Sequence, residues 1–366
     1  MRPGEVSATV GAEQARPTPL DGPAADEPPV SDWTLRPFLA TRHSPLWVGL
    51  ALALALLAVA QLYRLAFETA GRPGVPLLRD PYFWLDGLNG VLFAYIPTAL
   101  VYLRRGRLRD LRELRPQLDC DDASFQRYVN EALCVPPVRL FASGLVGALL
   151  LGAMPLLDPG FWESLQRPPL SDPMMLLLIA RSAITGWLGG HAFASEATSA
   201  LTLSRIGERL RVDLLDPSSL APFARASQRG AFAWVLISSL VSLFWLGPAA
   251  GVSNVLILGA ILLLVSASFA FSIHGAHRGI VATKRAALGG LEAQIRARGA
   301  ALLAGRPAPD GPGMADLVAY HGLLERAREW PLGTPALLRA SLIAALAVGS
   351  WLGGALVEQL LDRVLH

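Results

Sequence analysis

Long apolar runs alternate with polar, arginine-rich stretches along the whole chain. About twenty apolar residues form a helix of about 30 Å, which matches the hydrocarbon thickness of a bilayer. The core of the first run, GLALALALLAVA, carries no charge at all. We therefore predict an all-α, polytopic transmembrane bundle with seven spans, at about 46–67, 83–103, 138–157, 174–197, 230–246, 252–273 and 340–361.

The segments outside these spans are polar, and most of them have helical periodicity. Residues 104–137, 198–229 and 274–334 predict helical extensions on one side of the bilayer. Residues 1–30 are rich in proline, glycine, alanine and acidic side chains, a composition typical of a disordered tail. We therefore expect one membrane domain over 31–361, preceded by an unstructured N-terminal segment.

The distribution of basic residues predicts the orientation of the bundle. Of the 32 arginine and lysine residues, 26 lie in the N-terminal segment and in 104–139, 205–229 and 278–339. Positive charge is retained on the cytoplasmic side of a membrane. The pattern thus predicts a cytoplasmic N-terminus and, with seven spans, an external C-terminus with short external loops.

Composition supports lipid as the main solvent of the chain. Hydrophobic residues make up 52%, charged residues only 17%, and the mean hydropathy is +0.41. Soluble domains carry about 25% charged residues. We expect a bacterial cytoplasmic (inner) membrane protein whose surroundings are the lipid bilayer. We do not expect it to bind nucleic acid. Cys120 and Cys134 fall in a predicted cytoplasmic segment, where reduced thiols are expected, and no cofactor is indicated.

An arginine lies inside the predicted fourth span. Arg181 lies about a third of the way into the fourth span from its outer end. A charge near the bilayer centre costs several kcal/mol and faces protein or water. Asp86, at similar depth on the second span, is the expected partner. The Arg181–Asp86 pair either lines an external cavity or pore, or only fixes packing and orientation.

A second group of polar residues is predicted near the inner face of the bundle. Imidazoles and carboxylates at one depth could bind a divalent metal such as zinc or sense pH. The alternative is a set of interfacial histidines bonded to backbone or water, so the metal stays an open question. The residues are His191, Glu196, His274, His277, His321 and Glu325.

Small residues recur at four-residue spacing within two of the spans. Gly186 and Gly190, and Gly349 and Gly353, form small-xxx-small pairs that allow close helix contact. Such pairs serve packing within the bundle or, for the last span, contact with other copies of the chain around an axis.

Signatures of the common membrane enzymes and transporters are absent from the sequence. It contains no Walker A, GxGxxG, HExxH or GxSxG motif. Ser182 and His191 are separated by about 13 Å of helix rise, too far for a nucleophile and its base. The two halves show no clear repeat, which disfavours an inverted-repeat transporter. We therefore expect a protein that is not an enzyme.

The C-terminal part resembles the closing signature of a group of uncharacterised bacterial integral membrane proteins. The matching residues are Glu329-Trp330-Pro331, Thr334-Pro335, Arg339, Ser350-Trp351 and Gly353 to Glu358. The resemblance implies a bacterial membrane protein and no particular activity. The layout alone is similar to the insect odorant and gustatory receptors, in which the last span lines the pore of a tetramer. Ser350-Trp351-Leu352-Gly353-Gly354 stands where that superfamily has a Tyr-and-Gln motif.

Three classes of function fit these patterns. The favoured class is an oligomeric channel-like or sensory protein, in which the last two spans and their linking helices form the pore. The alternative is a structural or assembly protein that binds a cytoplasmic partner through its polar helices. A membrane enzyme or transporter is the least favoured class.

Overall fold

The computed structural model of the protein is built from helices and their connections. It describes residues 32–41, 43–67, 81–153, 173–210, 212–216, 220–243, 252–304 and 312–330, with single positions at 338, 341, 342 and 349. Within these ranges extended backbone pairs only once, in an antiparallel bridge between Leu118 and Leu210. The predicted tail 1–30 and nearly all of the predicted span 340–361 lie outside the described residues.

The all-α prediction is confirmed for the described residues. Short 3₁₀ turns at Trp33–Leu35 and Arg115–Gln117 supplement the α-helices. The α-helices are α1 (Arg36–Ala40), α2 (Pro45–Phe67), α3 (Pro81–Leu114), α4 (Asp122–Leu133), α5 (Pro137–Ala153), α6 (Pro173–Glu208), α7 (Ala221–Ser242), α8 (Val252–Leu303) and α9 (Met314–Arg326).

Three helical stretches are long and apolar enough to cross a membrane. Among the described residues these are Pro45–Ala66, Phe83–Gln117 and Asp122–Ala153. Large apolar side chains of α2, including Leu54 and Leu65, point away from the rest of the chain. A continuous apolar surface of this kind marks a contact with lipid or with another protein. The described residues therefore contain three helical stretches able to cross a membrane, while the seven-span count and the location of the termini stay predictions.

The helices continue past the predicted ends of the spans. The second span is predicted to end at residue 103, yet α3 runs without a break to Leu114. Arginine and leucine are good helix formers, and Leu108 and Leu111 are buried against other helices. Likewise, α8 passes through His274-Gly275-Ala276-His277 and extends over 52 residues.

The largest apolar core lies at the arginine-rich ends of the helices. Side chains from α3, α4, α6, α7 and α8 meet there. Each large apolar side chain buried in this way contributes about 1.5–3 kcal/mol, which explains why these polar-rich extensions stay helical and packed. The most deeply buried members are Leu111, Leu114, Ile206, Phe223 and Ile280.

Two helix crossings depend on glycine. A Cβ placed on Gly147 of α5 would overlap the carbonyl oxygen of Gly186 on α6, and one on Gly190 would overlap that of Ser143. A second crossing, not foreseen from the sequence, brings Gly207 of α6 against Gly275 and its neighbours on α8. Backbones approach this closely only where side chains are small.

Candidate functional site

Three helices place charged side chains around one buried carboxylate. Asp86 of α3 has a side chain with 0% exposure. Arg181 of α6 hydrogen-bonds to its Oδ1 atom, and Arg64 Nε of α2 lies 2.7 Å from its Oδ2 atom. Gln61 Nε2 also donates to Oδ2, at 3.1 Å. We call Gln61, Arg64, Asp86 and Arg181 the Asp86 cluster.

The structure thus places Arg181 and Asp86 in direct contact and adds two residues that sequence reasoning missed. Gln61 and Arg64 are three residues apart, so they lie on one face of α2. They sit near the end of α2, opposite the start of α3, because the two helices pack side by side. The signal that could have found Arg64 is its position at the same predicted outer depth as Asp86.

The Asp86 cluster holds two guanidinium groups and one carboxylate inside the predicted spans. The Arg181 side chain is 14% exposed, and its Nε atom is buried with no hydrogen-bond partner in the described part of the chain. A buried donor without an acceptor costs about 1–3 kcal/mol. Chemically, the arrangement offers an N–H donor on a cation, which suits a small anion.

His191 of α6 anchors the N-terminal segment instead of joining a histidine cluster. Its ring is 2% exposed, and its Nδ1 atom lies 3.3 Å from both carboxylate oxygens of Asp32. Asp32 also accepts hydrogen bonds from Thr34 N at 2.9 Å and Thr34 Oγ1 at 2.6 Å. Burial pushes the pKa of Asp32 upward, but the hydrogen bonds from His191 and Thr34 outweigh it, so this pKa lies below its usual value.

Glu196 is occupied by an ion pair between helices. It pairs with Arg107 of α3, and both side chains are nearly buried. A similar pair joins Arg229 of α7 to Asp110 of α3, which also faces Arg225. These pairs fasten the polar ends of α3, α6 and α7 to one another.

The other four residues of the predicted inner-face group have separate surroundings. His277 Nδ1 donates to the carbonyl oxygen of Glu329 at 2.8 Å, and its ring stacks on Trp330 with centroids 4.2 Å apart. His321 Nε2 lies 3.8 Å from a carboxylate oxygen of Glu292. His274 and Glu325 are exposed.

The predicted inner-face group is therefore not assembled as one site. Within the described ranges, no three histidine, cysteine or acidic residues are placed to share a metal ion. Sequence reasoning put these residues at one depth, but helix rotation turns them to different neighbours. The two cysteines, Cys120 and Cys134, are half-buried thiols.

The two predicted glycine pairs have different surroundings. Gly186 and Gly190 form the α5–α6 crossing described above. Gly349 has nothing within 4 Å of the position that a Cβ would take, and Gly353 lies outside the described residues.

Comparison with known proteins does not assign the chain to a family. No family model matches the chain, and neither a curated protein nor a solved structure gives a significant match. Function is therefore inferred from the geometry of the described residues.

Proposed function

We propose that this chain is a multi-pass bacterial inner-membrane protein that forms an oligomer and acts as an anion-selective channel or anion sensor. The observation that carries the proposal is the buried Nε–H of Arg181, which has no acceptor among the described residues although the same side chain pairs with Asp86. The seven-span layout and the pore in the last two spans belong to the same proposal.

Charge inside a membrane span favours a functional role over packing alone. A buried ion pair is often no more stabilising than well-packed apolar residues of similar volume, so packing by itself gives little reason to retain Asp86 and two arginines. Ionisable residues within spans commonly mark ion pathways. Arginine and lysine rings are the elements that select anions in pores.

The test is anion flux through purified full-length protein in liposomes. Arg181→Gln is expected to lower chloride or nitrate flux at least tenfold while insertion and assembly are retained. Arg296→Gln is the matched control, because Arg296 lies on α8 far along the chain and bonds only to the backbone carbonyl of Glu292 in the described structure. Equal flux through both variants would overturn the proposal.

The mass of the protein in native-like lipid tests the oligomeric part separately. A ring of identical subunits supports a central pore. A monomer rules out a pore on a symmetry axis, although a path through one subunit would still be tested by the flux experiment.

A structural or assembly role is the second candidate, and the helical hairpin of α8 and α9 favours it. Leu317 and Leu324 of α9 pack on Leu291 of α8. Leu303 and Val318 stay exposed on the same hairpin, as expected for a surface that binds a partner. This role predicts no flux in any variant, and loss of a co-purifying protein when Leu303→Ser and Val318→Ser are combined.

A further inference from the structure

A cavity of about 250 Å³ lies between the linker after α6, the middle of α8 and the end of α9. Leu214, Ile280 and Leu323 contribute apolar walls, while Arg326 and Trp330 stand at its rim. Ile280 is 1% exposed and belongs to the large apolar core. The inner wall is therefore part of the packed apolar core.

The outer wall is fixed by a set of hydrogen bonds to the end of α9. Lys284 of α8 donates to the carbonyl oxygens of Glu325 at 2.8 Å and Ala327 at 3.0 Å, and to Glu329 Oε1 at 3.1 Å. His277 holds the next residues through the Glu329 carbonyl and the Trp330 ring. The segment that carries the rim residues is thus latched to α8.

The charge of the cavity is predominantly positive. Arg326 and Arg328 both line it, both are exposed, and no described carboxylate forms an ion pair with either. The one acidic lining residue, Asp213, accepts a hydrogen bond from the backbone N–H of Leu215 at 2.9 Å. Two arginines without an ion pair among the described residues therefore line the cavity and can offer donors to an anion.

The position of the cavity along α8 matches the headgroup layer of the membrane. Ile280 follows the predicted inner end of the sixth span, residue 273, by about 10 Å of helix rise. Headgroups occupy the layer just outside the hydrocarbon. Tryptophan is enriched at this depth. The arginine-rich segments of the chain are predicted to lie on this side of the membrane.

We propose that this cavity binds the phosphate headgroup of an anionic phospholipid on the cytoplasmic side of the membrane. Arginine pairs with phosphate oxygens through two parallel hydrogen bonds. Basic pockets beside spanning helices on this side bind such headgroups. The volume is below the 300–1,000 Å³ of sites for whole drug-sized ligands, which suits a headgroup whose acyl chains stay in the bilayer. The site is independent of the Asp86 cluster.

Native mass spectrometry of the full-length protein tests the site. Protein is exchanged into nanodiscs that contain equal parts of phosphatidylglycerol and phosphatidylcholine, and the lipid retained on release is counted. Wild type is expected to retain phosphatidylglycerol at least fivefold over phosphatidylcholine. Arg326→Gln combined with Arg328→Gln is expected to remove that preference.

Two further variants separate the site from general effects of charge and folding. Arg285→Gln with Arg296→Gln removes the same charge from α8 outside the cavity and is expected to leave the preference unchanged. Leu323→Trp keeps both arginines but fills the cavity, and is expected to abolish retention. Equal loss in the Arg285/Arg296 variant, or no loss in the other two, would overturn the proposal.

Inorganic phosphate distinguishes a lipid headgroup from a free phosphate ligand. Millimolar phosphate is expected to leave the retained phosphatidylglycerol in place, because the lipid is also held by its acyl chains. Complete displacement by phosphate, with loss of lipid selectivity, would overturn the lipid assignment in favour of a soluble phosphate compound.

Discussion

Arg64 Nε lies 2.7 Å from Asp86 Oδ2, so the carboxylate that pairs with Arg181 is shared between guanidinium groups from two other helices. Asp86 is thus the hub of α2, α3 and α6. Loss of the hub is a different event from loss of either arginine, because it leaves two cations facing each other.

Asp86→Asn is expected to destabilise the protein by about 3–5 kcal/mol, the usual effect of breaking a buried ion pair from one side. Arg64→Gln is expected to cost less, since the Arg181–Asp86 pair survives. Thermal unfolding in detergent measures both. A smaller effect of Asp86→Asn than of Arg64→Gln would contradict the shared-carboxylate arrangement.

The α5–α6 crossing predicts a contrast between two neighbouring glycines. Gly186→Ala places a Cβ against the backbone of Gly147 and is expected to cost at least about 1–3 kcal/mol through overpacking. Gly189→Ala meets nothing within 4 Å, so it is expected to be neutral or to stabilise by up to about 1 kcal/mol through helix propensity. Similar melting temperatures for the two variants would contradict the close crossing.

Asp32 predicts an acid-sensitive contribution to stability. Because its pKa is lowered in the folded protein, its ionised form stabilises the fold above the pKa of the unfolded chain. That contribution is lost as pH falls through the lower, folded pKa. Asp32→Asn is therefore expected to lower stability at pH 7 and to flatten the decline below about pH 4.

Unfolding at a series of pH values measures the Asp32 contribution. Glu131→Gln is the control, because Glu131 is exposed and its one ion pair in the described structure, with Arg205, is a long surface pair of 3.8 Å. A decline in acid that is identical for wild type and Asp32→Asn would contradict the role of Asp32.

Lys284 predicts local protection of the chain that follows α9. Its three acceptors lie at residues 325, 327 and 329, close to Arg326 and Arg328. Lys284→Met is expected to speed tryptic cleavage after these arginines by about tenfold, with global stability little changed. Lys284→Arg, which keeps the charge and several donors, is expected to cleave more slowly than Lys284→Met. Equal rates for wild type and Lys284→Met would contradict the latch.

The sequence predicted a structural feature correctly where a residue type is compatible with few environments. Long uncharged runs have little alternative to membrane helices, and an arginine in a span needs a carboxylate, which pointed to Asp86. Rotation about a helix axis is set by packing with distant segments, and a single sequence does not contain it. For that reason His191 and Glu196, five residues apart, took partners on different elements, and the role of Lys284 as a latch was not foreseen.

Helix α8 is unbroken on both sides of its crossing with α6, so a tilt at the crossing displaces both of its ends. Its crossing with Gly207 near Gly275 divides the 52 residues into arms of about 35 Å and about 40 Å, at 1.5 Å per residue. A tilt of about 5° around this crossing displaces the C-terminal end of α8 by roughly 4 Å. A small change in the tilt of α8 is therefore expected to displace its far end by several times the shift at the crossing.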